Sequence, residues 1–347
     1  MTAVEDRHAW ERVGAHEVAD GVHRIPLPLP GDALKAVNTY AISDGDRVIM
    51  VDGGWAMADS VELLERSLDE AGHRLGDIGE FLVTHVHRDH YTQAVAVRRI
   101  TGAPVALGTG ERPALEIIHG PDRFRSDIIR LHRAGAFELM AEARRWETID
   151  FDLSDWEYPD RWLDDGVELP LVDRTLRVIA TPGHTVGHVV FHDAAAGILF
   201  AGDHVLPHIT PSVGVQVVRP DSPLRDYLQS LRLMLALPDA RLLPAHGPVT
   251  DSTHARVEEL LRHHDQRLTA TADAVASGHD TAFAVAGMLG WTRRQRRLPD
   301  LDTFNQVLAV NETMAHLDVL VERDWLTREI VDGVAHYTPE RSGNSSA

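Results

Sequence analysis

No cysteine occurs among the 347 residues of this sequence, so neither disulfide bonds nor thiolate ligands for a metal are available. Basic residues are few: 34 Lys and Arg stand against 53 Asp and Glu, which gives a net charge of −19. Because nucleic-acid backbones are bound by basic surfaces, this charge argues against a nucleic-acid partner. The sequence also lacks an apolar run of membrane-spanning length and a signal-peptide pattern at its start. We therefore expect a soluble cytoplasmic protein that does not bind membranes.

Histidine is plentiful, and its densest cluster follows the apolar run 81–83. Four potential metal ligands occur there within six residues, and residues typical of a helix come next, which predicts a strand, a ligand loop and a helix. Alternate side chains of an extended segment point the same way, so His85 and His87 are placed to bind one ion. Asp89 and His90 follow across the turn and are placed for a second ion. The alternative is that these histidines merely lie near a strand end.

Three later apolar strands also end in potential ligands, namely His184, Asp203 and His246. Together with the ligand loop they deliver His, Asp, His and His to one edge of a sheet, which indicates a convergent site. Imidazole and carboxylate are the ligands that a borderline divalent metal takes when no thiolate is offered. We therefore expect two divalent metal ions, with zinc favoured and iron or manganese as alternatives.

The first half of the chain alternates strands with helices. Residues 21–54 are typical of a β-meander, and 57–72 of an amphipathic helix, which predicts sheets with helices laid against them. Residues 1–20 are expected to form a helical or loosely packed leader. Asp52 lies at a strand end before two glycines, so it is either a turn residue or a support behind the ligand loop.

Residues 111–165 interrupt this rhythm with charged and aromatic residues and with apolar residues at helical spacing. We predict one to three helices inserted between sheet elements, forming a lid or a pocket wall. The alternative is that their apolar residues form a satellite core or the contact of a homodimer.

The C-terminal part, residues 251–340, is predicted to contain three helices followed by a hairpin, an order that resembles a winged-helix domain. Its only basic cluster is 293–297, with four arginines. We interpret this cluster as a solvated loop or a contact for an anionic substrate, in preference to a nucleic-acid contact. Residues 341–347 are expected to be a disordered tail.

Four motifs in this order resemble the metallo-β-lactamase superfamily: Thr84-His85-Val86-His87-Arg88-Asp89-His90, Thr181-Pro182-Gly183-His184, Ala201-Gly202-Asp203 and Pro244-Ala245-His246-Gly247. The resemblance covers about residues 20–250 and is strongest to the glyoxalase II-like branch with its thioesterases and lactonases. It implies an α/β fold: an αββα sandwich with a dinuclear site along one edge, formed by a catalytic domain over residues 1–250. It further implies that His85, His87 and His184 bind the first metal, that Asp89, His90 and His246 bind the second, and that Asp203 bridges them.

The expected function is that of a dinuclear metal-dependent hydrolase. A hydroxide bridging two metals would attack an ester-like carbonyl of a small acyl substrate, with a thioester favoured and a lactone or simple ester possible. Asp89 is the expected catalytic residue, orienting the nucleophile and carrying its proton. Two alternatives remain open: a metal-dependent phosphodiesterase or ribonuclease, and a non-catalytic protein that uses the metal site as a ligand sensor.

Three residues are candidate substrate contacts: Tyr91, His208 and Arg219. His208 lies in a proline-punctuated loop that leaves the predicted metal edge, where loops commonly line a pocket. Exposure of these side chains to solvent is the alternative. His188, four residues after His184, is expected to have a supporting or structural role and not to bind a metal.

Overall fold

The structure is a computed structural model that describes residues 8–31, 34–121, 125–144, 152–214, 216–218 and 220–340. The expected disordered tail, residues 341–347, and the candidate substrate contact Arg219 lie outside the described residues.

Within the described residues, the first sheet has seven strands that lie side by side in chain order. They are β1 (His16–Ala19), β2 (Val22–Pro28), β3 (Ala36–Asp44), β4 (Arg47–Val51), β5 (Ile78–Val83), β6 (Val105–Gly108) and β7 (Arg161–Leu163). The last four of these strands are parallel, so their C-terminal ends meet at one edge of the sheet.

The second sheet, as far as the structure describes it, has five strands: β8 (Glu168–Pro170), β9 (Thr175–Ala180), β10 (Val189–Asp193), β11 (Ile198–Gly202) and β12 (Arg241–Pro244). Their spatial order is β12-β11-β10-β9-β8. β9 and β11 are both antiparallel to β10, and β12 is parallel to β11. The C-terminal ends of β9, β11 and β12 therefore share one edge. This is the edge at which the sequence predicts His184, Asp203 and His246 to lie.

The described helices are α1 (Ser60–Glu70), α2 (Arg88–Thr101), α3 (Arg112–His119), α4 (Arg125–Arg133), α5 (Phe137–Ala143), α6 (Pro223–Ala236), α7 (Thr253–Ala276), α8 (Ala282–Met288) and α9 (Thr303–Glu322). The hairpin β13 (Leu326–Val331) and β14 (Val334–Pro339) follows α9. Among all the helices that the structure describes, none is both long enough and apolar enough to cross a membrane.

Successive side chains of a strand point to opposite faces of the sheet, so each strand contributes to a core on both of its faces. In β4, Ile49 belongs to the core between the two sheets, whereas Met50 belongs to the core under the helices of the first sheet. Between the sheets, the Phe200 ring packs edge-on against Tyr40 with centroids 5.4 Å apart. α1, α2 and α3 cover the first sheet, and α6 covers the second. The expected αββα sandwich is confirmed.

The segment 111–165 contains three α-helices within its described part, but its end belongs to the sheet. β7 pairs with β6 as the edge strand of the first sheet, so the helical insertion stops before Arg161. α3 packs on the first sheet, whereas α4 and α5 contribute to the core that contains α9. These apolar residues therefore join the main cores of the protein and form no separate satellite.

The C-terminal unit, residues 253–339, has the expected order of three helices and a hairpin. Its buried side chains belong to the same continuous cluster as the outer face of the second sheet, from Leu199 through Tyr227 of α6 to Leu320 of α9. α7 packs on α6, and α9 packs on both α5 and α6. The unit is thus a further layer on the sandwich and shares a core with it.

The N-terminal expectation is wrong in part, because residues 16–19 form an edge strand and not a helical leader. β1 pairs antiparallel with β2 through Glu17 and His23, with an irregularity in register before Ala19. Its side chains are only half-buried or exposed, which leaves a weak hydrophobic signal in the sequence.

Candidate metal centre

The ligand loop joins the end of β5 to the start of α2. His87 is the residue before the first turn of α2, and Asp89 and His90 lie within that turn. The helical turn separates these two side chains from His85 and His87, in agreement with the prediction that Asp89 and His90 are placed for a second ion. Asp89 at this place is also favourable for the helix, because the N-terminal end of a helix attracts negative charge.

Within the described residues, the strand ends bring seven side chains into two adjacent groups. The first ligand group is His85, His87, His184 and Asp203, and the second ligand group is Asp89, His90 and His246. In the first, His87 Nδ1 lies 3.0 Å from both His85 Nε2 and His184 Nε2. In the second, His246 Nε2 lies 3.4 Å from Asp89 Oδ2. Such spacings match nitrogen and oxygen ligands about 2 Å from a shared ion.

Asp203 lies between the two groups, with one carboxylate oxygen toward each. Its Oδ2 is 3.4 Å from His184 Nε2 of the first ligand group. Its Oδ1 is 3.3 Å from His246 Nε2 and 3.7 Å from His90 Nε2 of the second. A carboxylate in this position would be able to bridge two ions held by the two groups.

The outer nitrogens of three of the five ligand histidines are held by acceptors, which turns their inner nitrogens toward the centre. His184 Nδ1 donates to the carbonyl of Ser212, and His246 Nδ1 donates to that of Ala36, each at 2.8 Å. His90 Nδ1 donates to Asp52 Oδ2 at 2.9 Å. Each bond fixes the tautomer with the proton on Nδ1, so the Nε2 lone pair is available to a metal.

Asp52 has both of the roles that the sequence left open. It adopts a left-handed backbone conformation, with φ of 60°, at the turn after β4. Its carboxylate accepts hydrogen bonds from His90 and from the backbone and hydroxyl of Thr84. A buried carboxylate thus fixes the start of the ligand loop and the orientation of one ligand.

The two ligand groups differ in their electrostatics. Burial, together with the neighbouring ring of His184, lowers the pKa of His87 to about 3, so this imidazole is neutral and can donate its lone pair. Around His90, burial is outweighed by carboxylates, foremost Asp52, which raise the pKa of His90 to about 10. The second ligand group therefore attracts positive charge, and a divalent ion would displace the proton there.

Three buried atoms of the centre have no hydrogen-bond partner among the residues that the structure describes: His90 Nε2, Asp203 Oδ1 and His246 Nε2. Leaving such groups unsatisfied in the interior costs about 1–3 kcal/mol each, so a partner is expected at the point they share. A divalent cation satisfies all three at once. Imidazole nitrogen with carboxylate oxygen is a donor set suited to zinc, iron or manganese. The residues present therefore fit a site for two divalent ions.

His188 supports Asp203 from behind and lies outside both ligand groups. Its Nε2 accepts the backbone N–H of Asp203 at 3.1 Å, so its Nδ1 carries the proton and donates to the Thr181 hydroxyl at 2.8 Å. Gly202 permits this approach: a Cβ there would lie 2.8 Å from His188 Nε2, and the residue has a φ of 49°. This agrees with the supporting role expected for His188.

Glu111 is a buried residue at the centre that the sequence reasoning missed. Its carboxylate accepts a hydrogen bond from Thr185, the neighbour of His184, and interacts with the backbone N–H of Val86 in the ligand loop. Burial is the larger effect and raises the pKa of Glu111 to about 7. The available signal was its position just after β6, whose end lies at the same edge as that of β5.

Two of the candidate substrate contacts, Tyr91 and His208, lie within the described residues and differ in their exposure. Tyr91 is wrong as a contact: it is fully buried in the core of the first sheet and donates its hydroxyl to the Glu157 carbonyl at 2.5 Å. The first turn of α2 directs the residue after His90 away from the ligand groups and into the core. His208 is exposed and lies beside the metal edge, because its ring is 3.8 Å from where a Cβ of Gly247 would be.

The comparison with known families identifies the class of protein. The model of the Metallo-beta-lactamase superfamily matches residues 33–246, more than half of the chain. The chain therefore belongs to this superfamily. Because the match includes all seven residues of the two ligand groups, the protein is a metal-dependent hydrolase of the metallo-β-lactamase fold.

Curated relatives are moderately similar. The Beta-lactamase-like protein 2 homolog of Caenorhabditis elegans is 26% identical over 253 residues, which are 72% of this chain and 70% of the relative. The Lactamase-like protein adaB of Aspergillus niger is 27% identical over 272 residues, 78% of this chain and 69% of the relative.

Two solved structures resemble nearly the whole chain. A metallo-beta-lactamase family protein from Thermus thermophilus has a TM-score of 0.71 and 28% identity, covering 93% of this chain and all of that one. A beta-lactamase domain protein from Burkholderia ambifaria has a TM-score of 0.74 and 26% identity, covering 94% of each chain. The likeness therefore extends past residue 246 into the C-terminal unit.

Replacing Asp203 with alanine should remove both metals, because its two oxygens face the two ligand groups separately. We expect zinc-loaded Asp203→Ala protein to lose most of its metal on desalting, measured by elemental analysis. His246→Ala should lose metal from the second ligand group alone. Asp69→Ala, which removes an exposed carboxylate of α1, is the matched control and should retain the wild-type content. One tightly held ion per chain in Asp203→Ala protein would contradict the bridging geometry.

Removing the Glu111 carboxylate should weaken metal binding without touching a ligand. Glu111→Ala loses the acceptor for Thr185, so we expect zinc affinity to fall about 10- to 100-fold in competition with a chelator. Glu111→Gln retains an oxygen acceptor and should lose less. Glu116→Ala, on the exposed side of α3, is the control. Undiminished zinc affinity in Glu111→Ala protein would show that the residue does not position the ligand loops.

Proposed function

We propose that this hydrolase cleaves a thioester of a small acyl substrate at a dinuclear metal centre, with a lactone or simple ester as the alternative substrate. The observation that carries the proposal is the position of Asp203 between two complete ligand groups. Two ions held there would activate a water molecule and polarise the substrate carbonyl. The preference for a thioester comes from the resemblance to the glyoxalase II-like branch.

Asp89 is the group of the chain best placed to handle the proton of the attacking water. Burial alone would raise its pKa, but His90 and His246 outweigh burial and hold the pKa of Asp89 below its usual range. The carboxylate is therefore ionised and can accept a proton. Its side chain is 17% exposed, whereas that of His90 is fully buried, so water reaches the centre on the side of Asp89.

Cleavage of a thioester needs little from the chain beyond this. The water oxygen bonds to the carbonyl carbon, the C–S bond breaks, and the sulfur departs as a thiolate, which is a weak enough base to leave without a proton donor. The proton released from water passes to Asp89 Oδ and then to solvent. An amide would instead require a proton for its leaving nitrogen, so a thioester makes the smaller demand on the chain.

Two partly buried apolar side chains, Trp55 and Val217, lie near the ligand residues and would supply a wall for an acyl chain. Trp55 lies beside the ligand loop, since the guanidinium of Arg88 stacks 4.1 Å over its ring. Val217 adjoins Gln216, whose side chain donates to the Gly183 carbonyl at 2.6 Å. The Arg130 side chain of α4 in turn donates to the Gln216 carbonyl at 2.8 Å, which links the helical insertion to the segment that carries Val217.

The test is release of free thiol from a panel of acyl thioesters on coenzyme A and on pantetheine. Metal-replete wild-type protein should hydrolyse members of the panel, and His87→Ala protein, which lacks a ligand of the first group, should not. Chelation should abolish the activity and added zinc should restore it. Silence across the panel from protein shown to carry two metals would overturn the thioester proposal. Parallel assays of lactones and phosphodiesters then identify the bond cleaved, and inactivity on all of them would favour the ligand sensor.

A further inference from the structure

The four arginines near residue 295 lie on one tight turn, which we call the arginine turn (residues 292–297). Trp291 and Arg296 exchange backbone hydrogen bonds of 2.8 and 2.7 Å that close the turn. Inside it, Thr292 and Gln295 have φ values of 62° and 53°. Left-handed conformations at residues other than glycine are strained and persist where the surroundings impose them.

Trp291 provides that constraint. It is 8% exposed, and its indole N–H donates to the Ala286 carbonyl at 2.9 Å. The Arg267 guanidinium lies 3.9 Å over the centre of its ring. The base of the arginine turn is therefore fixed in the core of the C-terminal unit, and the turn presents its side chains from a rigid support.

The arginines of the turn divide into two pairs. Arg293 donates to the His208 carbonyl, and Arg297 donates to the Met288 carbonyl at 2.9 Å, so these two hold the turn in place. Arg294 and Arg296 are exposed, and their guanidinium groups have no hydrogen bond or ion pair with any residue that the structure describes. Among the described residues, a protein with a net charge of −19 thus displays two exposed guanidinium groups without an ion-pair partner on a single turn.

A single loop separates this pair from the metal centre. Its residue Ser212 accepts the hydrogen bond of the ligand His184, and His208 packs beside Gly247, the neighbour of the ligand His246. The loop is also bound by Arg293, and by Arg256 of α7 through the Ile209 carbonyl at 2.8 Å. The arginine turn and the metal centre therefore both contact the loop 206–212.

We propose that Arg294 and Arg296 bind phosphate groups on the leaving thiol, so that the substrate is the thioester of a phosphorylated thiol such as coenzyme A. This inference rests on the proposed thioesterase function and names its substrate class. Guanidinium groups bind phosphate through paired, charge-assisted hydrogen bonds. In coenzyme A the phosphates are separated from the sulfur by a long arm, which matches an anion site set back from the metal centre by one loop.

The net charge of the protein helps to distinguish a small phosphorylated ligand from a nucleic acid. A strongly acidic surface repels extended polyanions, whereas two adjacent guanidinium groups on it still attract a compact phosphate cluster. A long nucleic acid would require a basic surface well beyond this turn. The observations therefore favour a small phosphorylated ligand over RNA.

The first experiment compares one short acyl group on coenzyme A and on pantetheine, which lacks the nucleotide phosphates. For wild-type protein we expect the higher kcat/KM with coenzyme A. In Arg294→Gln/Arg296→Gln protein the ratio of the two kcat/KM values should fall about tenfold through KM, the order expected for losing charge-assisted hydrogen bonds. Arg262→Gln/Arg323→Gln, which removes two other exposed arginines of the C-terminal unit, should keep the wild-type ratio.

The second experiment measures binding without turnover, by calorimetric titration of adenosine 3′,5′-bisphosphate into metal-loaded protein. We expect saturable binding to wild-type protein and to the control variant, and its loss in Arg294→Gln/Arg296→Gln protein. An unchanged substrate ratio together with absent nucleotide binding overturns the phosphate site and leaves the thioesterase function standing. Nucleotide binding without hydrolysis of any thioester supports the phosphate site and rejects the thioesterase function. Binding of single-stranded RNA through these arginines, without binding of the bisphosphate, also overturns the proposal.

Discussion

Two carboxylates and five imidazoles share one buried edge of the sandwich, and their mutual electrostatics constrain everything around them. Asp203 and Asp89 repel each other unless positive charge lies between them, and the raised pKa of His90 reflects that demand. Without an ion, several inner nitrogen and oxygen atoms lack partners. The outer partners, Asp52 above all, hold the side chains in this unfavourable arrangement. The fold thus holds a binding site for cations in place although the arrangement lowers the local stability of the protein without them.

The surrounding layers serve this edge. In each sheet, neighbouring parallel strands end at the same edge. The core between the two sheets holds these edges next to each other. The C-terminal unit shares a core with the second sheet and reaches back through Arg256 and Arg293 to the loop beside the centre. Through these contacts a remote part of the sequence shapes the approach to the metals.

The ligands were accessible to sequence reasoning because each follows an apolar strand, and strand ends of one direction meet at a common edge. The alternation of strands and helices predicted sheets covered by helices, and the resemblance to the metallo-β-lactamase superfamily added the αββα order of the layers. Contacts of long range were not accessible in this way. Glu111 resembled an ordinary residue until folding placed it beside Thr185, and Tyr91 resembled a site residue until the first turn of α2 directed it into the core. The edge strand at residues 16–19 was missed because its side chains are too exposed to leave a clear pattern.

The central claim is that one carboxylate, Asp203, joins two metal positions. Anomalous X-ray diffraction from crystals of the zinc-loaded protein, measured at the zinc absorption edge, tests it most directly. We expect two peaks on either side of the Asp203 carboxylate, one beside His85, His87 and His184 and the other beside Asp89, His90 and His246. A single peak, or zinc bound away from Asp203, would contradict it.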